Sequence, residues 1–216
     1  MQDPAPTFAN GYPEAPWTLE GPIHLAQLKL RRPLRPPEGV QPFMSRRMVL
    51  LLGRYRTGTL AYSELVLCSY ARSGLRVGLV IHHIWVDSQE SVQGGRHIWG
   101  LAKKLATFAW SDSRVRISDE EGPITELHWD AVRWRLPAVP LPLPFFGFRD
   151  ARLLHTVAHA RARIAPCRMT VTTWSPRLPE VQGPRVRPAL LCDPSRALVP
   201  AARVVAGGSP GKTPHR

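Results

Sequence analysis

The chain has 216 residues, 44% of them hydrophobic, which suits one domain with a real core, and no apolar run reaches the roughly 18 to 20 residues that cross a bilayer as a helix. Its net charge of +13 rests on 29 basic residues, of which only Lys29, Lys103, Lys104 and Lys212 are lysines. The arginines are spread along the whole chain, without a helix-turn-helix, zinc knuckle or aromatic RNA-binding signature, so neither nucleic acid nor membrane is expected as a partner.

The N-terminus, Met1-Gln2-Asp3-Pro4-Ala5-Pro6, has no basic cluster followed by an apolar run, so a signal peptide is not expected and a cytoplasmic location is. Cys68, Cys167 and Cys192 are odd in number and form no C-x-x-C pair, which predicts reduced thiols rather than a disulfide framework.

Residues 1–15 are rich in Pro, Ala and Gly and read as a flexible lead. A single domain is then expected over 16–205 and a disordered tail over 206–216. Ile23–Leu30 alternates and reads as a strand. Four prolines make 31–42 an irregular crossing. Met48–Leu52 reads as a short buried strand, 54–59 as a polar turn, and Leu60–Cys68 as the next strand. Arg76–Val86 carries Val77, Leu79, Ile81, His83 and Trp85 at a period of two, which predicts a strand with these five on one face. Gly94, Gly95 and Gly100 punctuate a stretch that is neither clean helix nor clean strand.

Thr107–Trp110 and Arg114–Ile117 are short strands, and Ile124–Leu136 alternates again. Four prolines keep 137–144 extended. Arg152–Ile164 with Arg168–Trp174 makes one expected strand pair, and Val186–Cys192 with Leu198–Val205 another. The whole is a mostly antiparallel β protein with one or two short helices.

The chemistry concentrates between Leu60 and Trp110. Here stand Ala61-Tyr62-Ser63-Glu64, then Ile84-Trp85-Val86-Asp87-Ser88, then GGRHIWGLAKKLATFAW over 94–110. In order and spacing this set resembles the acetoacetate decarboxylase family. That family has a Tyr-x-Glu strand, a Tyr-x-Asp-Asn strand end, and a Gly-Arg-Glu segment leading into Gly-x-Pro-Lys-Lys-Leu. The likeness is specific through these 50 or so residues and fainter over 15–205.

A free lysine amine titrates at about 10.4 and is almost all ammonium at neutral pH, unable to attack a ketone. Making an amine nucleophilic there costs the ammonium roughly 5 kcal/mol, which desolvation and a second positive charge can each supply in part. Acetoacetate decarboxylase is the standing example of a lysine activated in these ways, so this mechanism comes with the resemblance. By resemblance, Lys103 matches the imine-forming lysine, Lys104 the cationic neighbour that tunes it, and Glu64 the active-site glutamate. Tyr62 could line the cavity or simply pack, and Arg96 matches the family's Gly-Arg arginine, a mainly structural residue that could pair Asp87. Two features set the lysines apart from an ordinary solvated pair: the chain otherwise uses arginine almost exclusively, and apolar Ile98, Trp99, Leu101, Leu105 and Phe108 stand around them in the sequence.

Several positions depart from the family pattern. His97 stands for glutamate, Ala102 for the proline before the lysines, Ser88 for asparagine, and Val49 for a further acidic residue. No early arginine falls in place for a substrate carboxylate, with Lys29 or Arg31 as the nearest substitutes. The resemblance implies a cone-like antiparallel β-barrel around a closed cavity, a homo-oligomer, no cofactor, and a small keto acid as the partner molecule. The default reaction is β-keto acid decarboxylation. The alternatives are aldol addition and dehydration with a pyruvate-like donor, or non-catalytic binding of a small molecule.

Weaker signals fall away. Residues 206–213 fit a relaxed phosphate-loop pattern but lack the helix it needs. His82 and His83 are strand neighbours pointing to opposite faces, and His155 and His159 are about 13 Å apart along a strand, so no metal is expected.

Overall fold

Alternating aliphatic residues dictate strands over most of the chain, and the computed structural model, which describes residues 8–132, 134–183 and 185–207, carries 15 of them and one helix. The strands β1 (Trp17–Glu20), β2 (Ile23–Lys29), β3 (Gln41–Pro42), β4 (Arg47–Tyr55), β5 (Thr57–Gly58), β6 (Tyr62–Ser73) and β7 (Arg76–Val86) precede the helix α1 (Gln89–Trp99). After it come β8 (Lys104–Leu105), β9 (Thr107–Ser111), β10 (Arg114–Asp119), β11 (Gly122–Trp129), β12 (Ala138–Arg149), β13 (Arg152–Trp174), β14 (Arg185–Val199) and β15 (Arg203–Gly207). The tail beyond Gly207, with most of the phosphate-loop pattern, lies outside the described residues. Among the described residues no helix is long and apolar enough to cross a membrane.

Seven strands close a ring in the order β14-β2-β4-β6-β7-β12-β13 and back to β14. All neighbours in it are antiparallel except β7 and β12, which meet in parallel at Leu79–Phe145 and Val80–Phe146. One apolar cluster fills the ring, around Trp17, Tyr62, Val66, Ile84 and Ala158. A second lies outside it, where Leu50, Leu65 and Leu67 meet Ile117, Ile124 and Leu127 of β10 and β11. Strand β6 separates the two clusters, so nearly every residue from Tyr62 to Ala71 is buried.

Three sequence expectations change. Arg152–Ile164 and Arg168–Trp174 are not a pair but one 23-residue strand, β13. Bulges at Ala162/Ile164 and Cys167/Met169 flank Pro166 and bend the strand. Its first half therefore closes the ring while its end pairs with β11. Likewise β14 runs unbroken through Val186–Cys192 to Val199 and pairs with β13, not with the segment after it. On β7, His82 is an extra residue opposite the Leu67/Cys68 step of β6. The bulge flips the phase, so Leu79 and Ile81 join the cluster inside the ring while Trp85 joins the one outside.

The fourth change is the helix. Gly94 and Gly95 each cost about 1 kcal/mol of helix propensity against alanine, which hides α1 in the sequence. Its ends supply the compensation. The Ser88 Oγ accepts from the Ser91 N–H at 3.1 Å, Glu90 sits in the first turn, and Gly100 closes the C-terminus at φ 65°. Both glycines are required by close packing: a Cβ at Gly94 would stand 2.5 Å from the Trp17 ring, and one at Gly95 2.5 Å from Lys103 Cδ. The N-terminal lead, described from Phe8, meets this helix: Tyr12 stacks on His97, and Trp17 donates to the Pro13 carbonyl at 2.8 Å.

Candidate active site

The inward face of β6 places Tyr62, Glu64, Val66 and Cys68 in a row along the wall of a cavity of about 120 Å³. The antiparallel register with β4 sets Tyr55 directly beside Tyr62. Lys103 enters the cavity from the segment after α1. The Leu101 N–H donates to the Gly95 carbonyl at 3.0 Å, and the Arg96 guanidinium donates to the Lys103 carbonyl at 2.7 and 3.2 Å. With its backbone pinned, the lysine side chain runs past the bare Cα of Gly95 into the ring and is only 3% exposed.

The Lys103 Nζ donates to Glu64 Oε2 at 2.8 Å and to the Ser91 Oγ at 3.0 Å, and lies 5.1 Å from the centre of the Tyr62 ring. Glu64 also accepts from the Tyr55 and Tyr62 hydroxyls, at 3.4 and 3.5 Å. These two are long, and weak beside the lysine bond. Burial, then the Glu64 charge, push both phenols well above the ordinary tyrosine value, so they remain donors at any working pH. Apart from this cluster the wall is apolar, with Leu51, Leu79, Trp99, Leu143 and Phe145 among its members. An amine, a carboxylate in contact with it and two phenols in an otherwise apolar pocket can add the amine to a carbonyl and move protons around the product.

The structure therefore brings Lys103, Glu64 and Tyr62 together. It does not bring the other two candidates to the cavity. Lys104 is exposed: along 101–104 buried and exposed side chains alternate, so Lys103 turns inward and Lys104, the first residue of β8, turns out. Arg96 is also exposed and holds the lysine's backbone rather than a substrate; the Asp87 carboxylate instead accepts from the Ser63 N–H at 2.6 Å. Lys29 and Arg31 are exposed and line neither this cavity nor its neighbour. Sequence reasoning missed Tyr55 and Ser91. The first shows only through strand register, and the second only once Ser88 is read as a helix cap.

Among the described residues no three His, Cys, Asp or Glu side chains stand close enough together to hold a metal ion. Burial pushes the Cys68 thiol, at the far side of the cavity, up to about 12, which leaves it an unreactive apolar wall group.

No curated protein matches the chain. Among solved structures, the acetoacetate decarboxylase of Legionella pneumophila subsp. pneumophila str. Philadelphia 1 is similar with a TM-score of 0.73 at 16% identity, over 94% of this chain and 92% of that one. An acetoacetate decarboxylase-like enzyme from Sphingomonas wittichii RW1 follows at 0.66 and 13%, over 91% and 95%. The enduracididine biosynthesis enzyme MppR, complexed with the condensation product of pyruvate and imidazole 4-carboxaldehyde, is similar at 0.59 and 12%, over 91% of each chain. These likenesses establish the fold. The family model for acetoacetate decarboxylase (ADC) matches residues 32–190, and the chain belongs to that family.

Proposed function

We propose that the chain is a Schiff-base-forming lyase in which Lys103 attacks the carbonyl of a keto acid, with β-keto acid decarboxylation as its reaction. One observation carries this reading: Lys103, the only amine on the cavity wall among the described residues, is buried among apolar groups, 2.8 Å from a carboxylate that can take its proton. Family membership and enzymes as structural neighbours add support.

In the proposed sequence Glu64 accepts a proton from the Lys103 ammonium, and the neutral amine adds to the ketone carbon. The proton returns as the carbinolamine loses water. The resulting iminium stands where the ammonium stood, still paired with Glu64. The bond from the α-carbon to the carboxylate then breaks, its electron pair moves into the iminium, and carbon dioxide leaves an enamine. A proton from water reaches the enamine carbon, and hydrolysis of the iminium releases the ketone and restores the ammonium. Ser91 and Tyr62 hold the nitrogen in place through these steps.

Borohydride reduction in the presence of a panel of keto acids tests this: a covalent mass should appear at Lys103 and be absent in Lys103→Arg, since arginine stays protonated. No adduct from any member of the panel would reject the reading in favour of simple binding. Aldol condensation with a pyruvate-like donor is the second reading, favoured by the fold shared with the MppR complex. It predicts the same adduct with pyruvate but no release of carbon dioxide.

A further inference from the structure

A second apolar cavity, of about 430 Å³, adjoins the one that holds Lys103. The two share four wall residues, Leu51, Cys68, Leu79 and Leu143, which come from the adjacent ring strands β4, β6, β7 and β12. Along β6 the inward residues continue without a break from Glu64 through Val66 and Cys68 to Tyr70, which lines the second cavity. Six residues of strand span about 20 Å. The far end opens beside Phe43 and Val77, which are 43% and 53% exposed. The inner cavity alone is smaller than ordinary small-molecule sites of about 300 to 1,000 Å³, and joined to the outer one it is not.

Charge is absent from this path. Among the described lining residues of both cavities, Lys103 and Glu64 are the only charged side chains, and they neutralise each other. A carboxylate or phosphate on the far part of a ligand would meet no cation among the described lining residues, only the neutral Gln27 and Tyr70, which do not offset the cost of burying its charge.

We propose that the substrate carries a long, uncharged apolar chain: a β-keto acid whose carbonyl meets Lys103 and whose alkyl tail passes the Leu51–Cys68–Leu79–Leu143 neck into the outer cavity. The inference rests on the imine role proposed for Lys103 and names the substrate class for it. The tail supplies the binding energy, and the neck fixes the carbonyl at the amine. A short keto acid would fill the inner cavity alone and leave the outer one to water.

The test uses the full chain and the methyl ketones that decarboxylation of such acids would release: butanone, 2-hexanone, 2-octanone and 2-decanone, each titrated under borohydride and followed by intact mass. The half-saturating concentration should fall about fourfold for each methylene added, the transfer free energy of a buried CH₂. 9-Oxodecanoate, of the same length as 2-decanone but with a terminal carboxylate, should need at least tenfold more. Val49→Trp, which fills the outer cavity from β4, should collapse the ratio of decanone to butanone trapping. Leu190→Glu, which puts a charge there instead of bulk, should do the same.

A flat chain-length series, or 9-oxodecanoate equal to 2-decanone, overturns the proposal whatever the variants do. Calorimetric titration of the same ketones without borohydride separates the two readings. No adduct together with a steep calorimetric series rejects the imine but keeps the channel. An adduct with a flat series rejects the channel but keeps the imine.

Discussion

Lys103 Nζ and Glu64 Oε2 form an ion pair 2.8 Å long in which neither residue exceeds 7% exposure. Removing one partner of such a pair leaves an uncompensated charge in an apolar wall, at a cost on the order of 3 to 5 kcal/mol, whereas replacing both with apolar groups is often neutral or stabilising. Denaturant unfolding should therefore find Lys103→Met and Glu64→Leu each markedly less stable than the Lys103→Met/Glu64→Leu double variant. Equal or additive losses would show that the pair is not the energetic unit the geometry describes.

Lys104 offers a sharp contrast with its neighbour. Its side chain is exposed on the outer side of β8, where its charge helps hold the half-buried His83 below the ordinary histidine value, after burial itself. Lys104→Ala should trap a ketone within about twofold of the unsubstituted chain, because exposed charges are screened by water and salt. A large loss in Lys104→Ala that Lys104→Arg restores would show that the positive charge reaches across the strand.

Much of this was legible from residue order. The limits of β7 and the extended, proline-rich β12 follow from local patterns. Lys103 and Glu64 are picked out by the resemblance to the family's motifs, and the structure places them in contact. What escaped depends on distant partners. A bulge such as that at His82 is set by the strand opposite, so no local pattern announces that the faces of β7 exchange there. The helix α1 hides because its two glycines serve Trp17 and Lys103, far away in sequence, at the expense of local propensity. The separate fates of Lys103 and Lys104 are a matter of side-chain alternation, which a motif of two identical letters cannot express.

Gly95 should be sensitive for that reason. A methyl group at this position would sit 2.5 Å from Cδ and 2.7 Å from Cε of Lys103, closer than carbon atoms approach. Alanine favours a helix by about 1 kcal/mol over glycine, so Gly95→Ala should leave α1 intact while displacing the lysine stem. The expected result is a folded protein, judged by circular dichroism, whose borohydride trapping falls at least tenfold. Full trapping would mean that the stem has room to move aside.

His24 predicts how stability responds to acid. It lies on β2, 5% exposed, its ring tilted 40° to that of Trp129 with centroids 4.5 Å apart, and its Nε2 meets no hydrogen-bond partner among the described residues. Burial lowers its pKa to about 4, against a smaller opposing pull from Asp193. The unfolded chain takes up this proton near the ordinary histidine value of about 6.5, and the folded chain does so only near 4. Between those values the unfolded state binds more protons, so stability falls as pH drops through 6.5 and the loss from this group is complete below about 4. The full effect is on the order of 3 kcal/mol. His82, lowered to about 4 by burial and by His83, adds a slope of the same sign. Urea unfolding at pH 7 and pH 4.5 should show the decline, and His24→Phe, which keeps an aromatic ring against Trp129 and cannot protonate, should reduce it. A pH slope unchanged in His24→Phe would mean that His24 does not titrate on unfolding and that the acid sensitivity lies with other groups.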